Sequence, residues 1–458
     1  MPFLNLPLRS AMLKIVKVFF LFAAIVLHAQ QELEVRLETK VPLKPIYLSQ
    51  VNGPADIDKR YAEEMRSILA FDLANNGYSS IVPIREDAEQ KIWADPRAHA
   101  DAAFWKREHI PVFLVVEAKA NAIAVTLNNI EKSSTKRYPE IALAGQSQID
   151  RSAIHKLADA VQKDLFGTQG IASSRIIFSQ RIKNSTIAGN QWVSEIWTAD
   201  WDGANAKRHS FGNGYCMSPG FLPSSIAKQG YFFAASDRGQ SKIYRGSLLD
   251  NQTQEWIHLR GSQLLPAISK DGSKIAFISD AAGRPDLFMQ FITNGKEAGK
   301  PFQLFSAPDA TQASPTFSPD GRKIAFVSDK GGSPRIYVMD IRDPRSANRR
   351  DLTLISKKNR ENTSPAWSPD GSKIAYSART EGVRQIWIYD FASQEEWQLT
   401  FGDENKENPS WAPDNLHLIY NTETKDVSEL YLINLHQQEP VKINLGFGQK
   451  RFASWELK

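Results

Sequence analysis

A single cysteine, Cys216, in 458 residues excludes an internal disulfide. The eight histidines are scattered without HxH or HxxxH spacing, and no Cys/His cluster has the spacing of a structural zinc site. The fold must therefore rest on ordinary hydrophobic cores. With 42% hydrophobic and 23% charged residues the chain is neither disordered nor collagen-like. Its length allows two or three domains of ~150 residues. Acidic residues are missing from residues 1–29, which carry Arg9, Lys14 and Lys17. Without those three cations the formal net charge of +5 falls to +2, too balanced for a nucleic-acid binder.

Long apolar runs are also scarce. Residues 18–27 (VFFLFAAIVL) follow the basic cluster and lead into His28 and Ala29. Ten residues at 1.5 Å each fall short of ~30 Å of hydrocarbon but suit the apolar stretch of an export signal. The expected signal is residues 1–29, cleaved after Ala29, with an uncleaved anchor helix as the alternative. No later stretch reads as a transmembrane helix, and no cysteine follows the apolar run to accept a lipid. The expected mature protein is soluble, monomeric and periplasmic.

What the chain does contain is a repeat. Residues 314–329 (SPTFSPDGRKIAFVSD), 364–377 (SPAWSPDGSKIAYS), 265–280 (LPAISKDGSKIAFISD) and 408–421 (NPSWAPDNLHLIYN) follow one template, with a degenerate copy beginning at Ser218. The prolines Pro219, Pro266, Pro315, Pro365 and Pro409 are 47, 49, 50 and 44 residues apart. Such periods, with several strands per repeat, point to a β-propeller. In residues 367–376 a short strand enters a Ser-Pro-Asp-Gly turn, where Pro369 presets φ and Gly371 accepts the left-handed corner. The turn aspartates read as turn residues rather than as ligands or acids. Third strands follow, such as 335–340 (RIYVMD) and 385–390 (QIWIYD), and fourth strands such as 396–400 (EWQLT). The first unit, from residue 175, lacks its opening strand, and residues 452–455 (FASW) resemble the missing piece. The count of second strands gives six blades, closed by a C-terminal strand.

Ahead of the repeats, Tyr61, Met65, Ile68, Leu69 and Leu73 share a helical face, with Asp56 or Asp58 able to cap its start and Gly77 its end. Ile154, Leu157, Ala158, Val161 and Leu165 form a second stripe stopped at Gly167. Residues 112–116 (VFLVV) and 122–127 (AIAVTL) read as strands. The expected fold class is α+β multidomain: a small N-terminal α/β domain, residues 30–168, and an all-β six-bladed propeller, residues 169–458.

Export signal, α/β domain and SPxWSPDGxKIAFxSD repeats together resemble the TolB family. Residues 165–177 (LFGTQGIASSRII) are similar to the family's domain junction, and residues 34–36 (EVR) to its mature N-terminus. Residue 172 is alanine where the family usually has phenylalanine, and no Ser-Pro follows Trp455. The resemblance implies a non-catalytic scaffold that binds the peptidoglycan-associated lipoprotein Pal on the loop face of the propeller and TolA through its N-terminal segment, in outer-membrane integrity and constriction during cell division. Other outer-membrane proteins are further candidate partners, and no cofactor or metal is expected.

In a propeller, the loop entering each innermost strand emerges on the same face as the loop joining the second and third strands. The residues on and entering these strands are Ser262, Gln263, Leu265, Gln312, Ser314, Glu361, Asn362, Ser364, Glu404, Glu407 and Asn408, the candidate Pal contacts. Arg284, Lys330, Arg335, Arg379 and Arg384 lie in or beside the other loops of that face. Charges of both signs around a mouth suit a protein ligand; the alternative is that these loops are merely solvated. Residues 33–39 (LEVRLET) alternate apolar and polar, so Leu33, Glu34, Val35, Arg36 and Leu37 could add to a sheet edge. They are the candidate TolA contacts.

Two other classes compete: an enzyme, which in oligopeptidases of this repeat would need the GxSxG elbow that this chain lacks, and a glycan-binding propeller, which would stack aromatic residues at its mouth.

Overall fold

The computed structural model describes residues 41–54, 58–94, 101–183, 192–212, 214–237, 239–345, 351–437 and 439–456. The expected signal, the strand at residues 33–39 with its five candidate contacts, and Asp56 lie outside the described residues. Among the described residues no helix is long and apolar enough to cross a membrane.

The N-terminal region is an α/β layer structure. Its sheet runs Ser79–Val82, Lys44–Asn52, Val112–Lys119, Ala122–Asn129, Ser134–Arg137, the first three strands parallel and the rest antiparallel. Alternation along the strands sends Ile46 and Leu48 to one face, against the helices Lys59–Ala74 and Ser147–Phe166. Tyr47 and Phe113 go to the other, against Trp105 and Ile92 on the short helices Ala102–Arg107 and Glu86–Ala94. Burial of each such side chain contributes ~1.5–3 kcal/mol. The Asp58 carboxylate caps the first long helix by accepting from the Tyr61 amide at 3.1 Å. That helix ends differently from the expectation: Asn75, not Gly77, is its C-cap, donating its amide to the Phe71 carbonyl. Gly167 ends the second long helix as expected, at φ 74°.

From Arg175 onward the chain is all β. Among the described residues it forms four sheets of four strands and one of eight. The eight-stranded sheet consists of two runs joined by one parallel residue pair, Tyr215 with Ser194. The C-terminal strand Gln449–Trp455 pairs antiparallel with Arg175–Lys183. First strands of successive units lie side by side, and Gln449–Trp455 neighbours both Asn405–Trp411 and Tyr215–Phe221. Core clusters are built between neighbouring sheets: Phe232 and Ile243 meet Phe277 and Phe288, and Ile278 and Leu287 meet Phe326 and Met339.

The Ser-Pro-Asp-Gly turns repeat one hydrogen-bond pattern. In two of them and in the matching Ser-Lys-Asp-Gly turn, the serine hydroxyls of Ser318, Ser368 and Ser269 donate to the aspartates two residues on, each at 2.6 Å. The same aspartates accept from the amides of Ser273, Arg322 and Ser372. Burial alone would raise the Asp271 carboxyl; hydrogen bonds from Ser269 and Ser273 outweigh it and hold it at about 2. The turn aspartates are thus engaged in the turns themselves.

The two regions share one continuous core, in which Trp201 and Ile419 pack with residues of both long helices. Polar contacts reinforce it. His417 Nε2 donates to the Asn75 carbonyl at 2.8 Å, His436 Nδ1 to the Gly77 carbonyl at 2.8 Å, and Trp201 Nε1 to Asp72 Oδ1 at 2.9 Å. These donors sit at the C-terminal end of the first long helix, where free carbonyls need partners.

Candidate protein-binding face

Each innermost strand carries the same irregularity. Between Leu264 and Ala267 the strand advances three residues while its partner retreats two, a one-residue bulge. Equivalent bulges fall between Met217 and Gly220, Ala313 and Thr316, Thr363 and Ala366, Glu407 and Ser410, and Arg451 and Ser454. The residue at the kink is left-handed every time: Ser218, Leu265, Ser314, Ser364, Asn408 and Phe452 have φ of 51°, 51°, 45°, 51°, 53° and 54°. For L-residues this conformation costs roughly 1–2 kcal/mol, so a repeated bulge needs support from its surroundings. In one place that support is visible: the Ser364 hydroxyl donates to Asn408 Oδ1 at 2.9 Å, and Asn408 Nδ2 to Asn421 Oδ1 at 2.9 Å, linking neighbouring first strands.

The loops entering these strands are tied to the loops that follow the second strands. The Ser262 amide donates to Asp280 Oδ1 at 2.7 Å, the Thr311 amide to Asp329 Oδ1 at 2.7 Å, and the Arg379 amide to the Glu361 carbonyl at 3.0 Å. Both loop sets thus share one face, with the Ser-Pro-Asp-Gly turns at the opposite ends of the same strands.

The candidate contacts separate by exposure. Glu404 is exposed; Ser262, Leu265, Ser314, Glu361, Ser364, Glu407 and Asn408 are half-buried. Gln263, Gln312 and Asn362 are buried, at equivalent positions in three successive units. Gln263 Nε2 donates to the Ile257 and Leu259 carbonyls at 3.1 and 3.0 Å, and Asn362 Nδ2 to the Asn359 carbonyl at 2.8 Å. With its amide oriented to satisfy its neighbours, Gln312 donates to the Pro285 carbonyl and Asp286. Gln263 and Asn362 hold their entering loops in shape from beneath, while Gln312 ties its strand to the start of the strand Asp286–Thr293 in the preceding sheet.

A belt of paired charges crosses the face between the last units. Glu361 Oε2 pairs with Arg379 Nε at 3.0 Å, and Arg384 Nε with Glu407 Oε1 at 3.1 Å; Arg451 pairs with Glu423. Burial raises the Glu423 carboxyl, against the pull of Arg451. Burial lowers the Lys406 ammonium, whose Nζ donates to the Glu404 carbonyl. Arg181 lies 4.3 Å above the Trp192 ring. Sequence reasoning passed over Thr363, Asn405, Glu423 and Arg451; their signal was position, since each lies within a few residues of a chosen loop or of its C-terminal counterpart. The other cations named from sequence serve the same loops: Arg335 Nη1 donates to the Ser356 carbonyl at 2.8 Å, Arg284 Nη2 to Ser306 Oγ at 2.9 Å, and Lys330 lies 4.7 Å from the Tyr337 ring centre.

At the other end of the first strands is a cavity of about 510 Å³, lined in part by Phe221, Phe317, Trp367, Trp411 and Trp455. Its tryptophans are packed within the fold: Trp411 Nε1 donates to the Ala366 carbonyl, Trp367 stacks on Phe391 at 5.1 Å, and Trp411 and Trp455 are buried.

The family model for the TolB beta propeller domain matches residues 162–458. The chain is 42% identical over 383 residues to the TolB homolog of Protochlamydia amoebophila, covering 82% of this chain and 81% of that one. It is 34% identical over 299 residues to the TolB homolog of Chlamydia felis, covering 65% of this chain and 64% of that one. The crystal structure of TolB from Acinetobacter baumannii superimposes with a TM-score of 0.73 at 21% identity, over 91% of this chain and 97% of that one. The repeats that shape the bulged strands are thus the part the family model recognises, and the chain belongs to the TolB family.

Proposed function

We propose that the chain is a non-catalytic periplasmic scaffold of the Tol-Pal system, exported by a signal at residues 1–29. In this reading residues 30–168 form the α/β domain and residues 169–458 a six-bladed propeller closed by its C-terminal strand. The six equivalent bulges and the succession of first strands support the count. Pal docks on the face of entering loops, against Ser262, Leu265, Ser314, Glu361, Ser364, Glu404, Glu407 and Asn408, with Gln263 and Asn362 shaping those loops and Gln312 tying its strand to the preceding sheet. TolA takes the segment Leu33 to Leu37. The complex serves outer-membrane integrity and constriction during division.

The observation that carries the reading is the membership of the TolB family combined with a face on which loops of both kinds are tied together and bear charges of both signs. Such a surface suits a partner of standard interface size, ~1,600 Å². Calorimetry of residues 30–458 with the soluble domain of Pal tests it. Micromolar or tighter binding, lost in Ser314→Arg and Ser364→Arg, is expected. Absence of binding by folded protein would remove Pal as the partner, and retention in both variants would move the contact elsewhere.

A further inference from the structure

We propose that His155, Asp200 and Asp202 form a binding site for one divalent cation of the zinc class, at the seam between the α/β region and the β-sheet array. Ligand atoms of the three residues lie within 4.8 Å of one another. Nε2 of His155 is 3.9 Å from Oδ2 of Asp200 and 3.9 Å from Oδ2 of Asp202. A tetrahedral ion about 2.0 Å from its ligands sets them roughly 3.3 Å apart. Closing the site takes a contraction of about 0.6 Å between Nε2 and each carboxylate, within the reach of a side-chain rotation.

The imidazole, rather than the two carboxylates, marks the site. His155 is 2% exposed, and Nδ1 lies 2.7 Å from Asp72 Oδ2. A carboxylate can only accept, so Nδ1 carries a proton, and in the neutral ring Nε2 is then a lone pair. That buried Nε2 has no hydrogen-bond partner. It faces the carboxylates of Asp200 and Asp202, which either a second ring proton or a metal ion would bridge. The metal is favoured by the Asp72–His155 bond, the outer contact that ordinarily orients a metal-binding histidine.

The surroundings fit the same reading. The strand Trp192–Asp200 delivers Asp200 at its end, and a tight turn with Gly203 at φ 91° brings Asp202 back beside it. Asn205 Nδ2 donates to Asp200 at 2.6 Å, Arg151 pairs with Asp202, and Trp201 Nε1 donates to Asp72. Three aspartates, Asp72, Asp200 and Asp202, gather around His155 with Arg151 paired to one of them, an excess of acidic groups that favours a cation. An imidazole nitrogen beside carboxylates selects zinc, cobalt or nickel over calcium and magnesium.

The test is titration of chelator-treated protein with Zn²⁺ alone by calorimetry, with Co²⁺ absorption as a second readout. One equivalent of Zn²⁺ at micromolar or tighter affinity is expected, with a Co²⁺ visible band of low coordination number. Asp200→Asn should weaken binding at least tenfold, and His155→Gln should abolish it. His258→Gln, which removes an exposed histidine paired with Glu297, should change nothing. Asp200 does not hydrogen-bond to Asp72 or Trp201, so its variant carries the test if His155→Gln fails to fold. No stoichiometric Zn²⁺ binding by folded protein, or equal binding in Asp200→Asn, would overturn the site. Calcium binding as tight as zinc would overturn its metal class.

Discussion

The indole N–H of Trp201 donates to Asp72 Oδ1 at 2.9 Å with both side chains buried, joining a turn of the β-sheet array to the first long helix. A buried carboxylate oxygen that loses its donor costs about 1–3 kcal/mol. Trp201→Phe keeps most of the apolar volume and deletes the donor. Its urea midpoint should fall by an amount corresponding to about that energy, and limited proteolysis between the two regions should quicken. An unchanged midpoint would mean that packing alone holds the seam.

Asp159 organises the connecting segment in a similar way. Its carboxylate accepts from the Ala172 amide at 2.8 Å, the Ser173 amide at 3.2 Å and the Ser173 hydroxyl. Gly170 is packed so closely that a Cβ there would lie 2.3 Å from Asp159 Oδ1. Asp159→Ala strands several donors and should cost about 2–4 kcal/mol. Asp159→Asn, which keeps one acceptor, should recover part of that loss in the same denaturation series.

The repeated turns set an acid limit. Asp271, Asp320 and Asp370 all have carboxyls below their ordinary range; for Asp320 the Ser318 hydroxyl is the leading cause, and for Asp370 hydrogen bonds from Ser368 and Ser372 outweigh burial. A carboxyl lowered on folding stabilises the native state above its unfolded pKa, ~3.9, and loses that stabilisation as pH falls through the folded value, about 2 for Asp271. Urea midpoints should therefore drop between pH 4 and pH 2. A triple Asp→Asn variant should start lower at pH 7 and show a flatter profile across that window.

How much of this was readable from the chain follows from which residues carry period and which carry only packing. The second strands, such as the one containing Ile324 and Phe326, stood out because four of the repeats supply a related turn followed by an apolar triplet. Both long helices were legible from Met65–Leu73 and Ile154–Leu165 spacing. The strand Lys44–Asn52 and the helices Glu86–Ala94 and Ala102–Arg107 were not read, since their burial is decided by Trp105, Phe113 and Tyr47 meeting across the sheet. On the candidate face the loops were legible, while the inward turn of Gln263, Gln312 and Asn362 was not. A polar residue in a loop reads as exposed until the carbonyls beneath it are known.

The bulges offer a direct energetic check. Ser314 sits at φ 45°, where a β-branched side chain is more strained than serine and glycine is not strained at all. Ser314→Val should be less stable than Ser314→Gly by about 1–2 kcal/mol in chemical denaturation. The reverse order would show that side-chain packing outweighs backbone conformation at this position.

The charge belt gives the proposed Pal contact a test independent of size. Arg384 lies between two acids, with Nε 3.1 Å from Glu407 and Nη2 4.0 Å from Glu361, and Nη1 donates to Thr363 Oγ1 at 3.3 Å. Arg384→Glu would set three acids together on the face and disturb both entering loops that Arg384 now bridges. Pal affinity should fall at least tenfold, about 1.4 kcal/mol, with the larger part of the loss at low salt, where exposed charges act over longer distances. Arg342, whose ion pair with Asp340 lies toward the ends of the strands that carry the Ser-Pro-Asp-Gly turns, supplies the comparison. Arg342→Glu makes the same change in net charge and should leave affinity as it was. Equal losses in the two variants would mean that Pal responds to the overall field of the protein, and the face of entering loops would lose its claim to the contact.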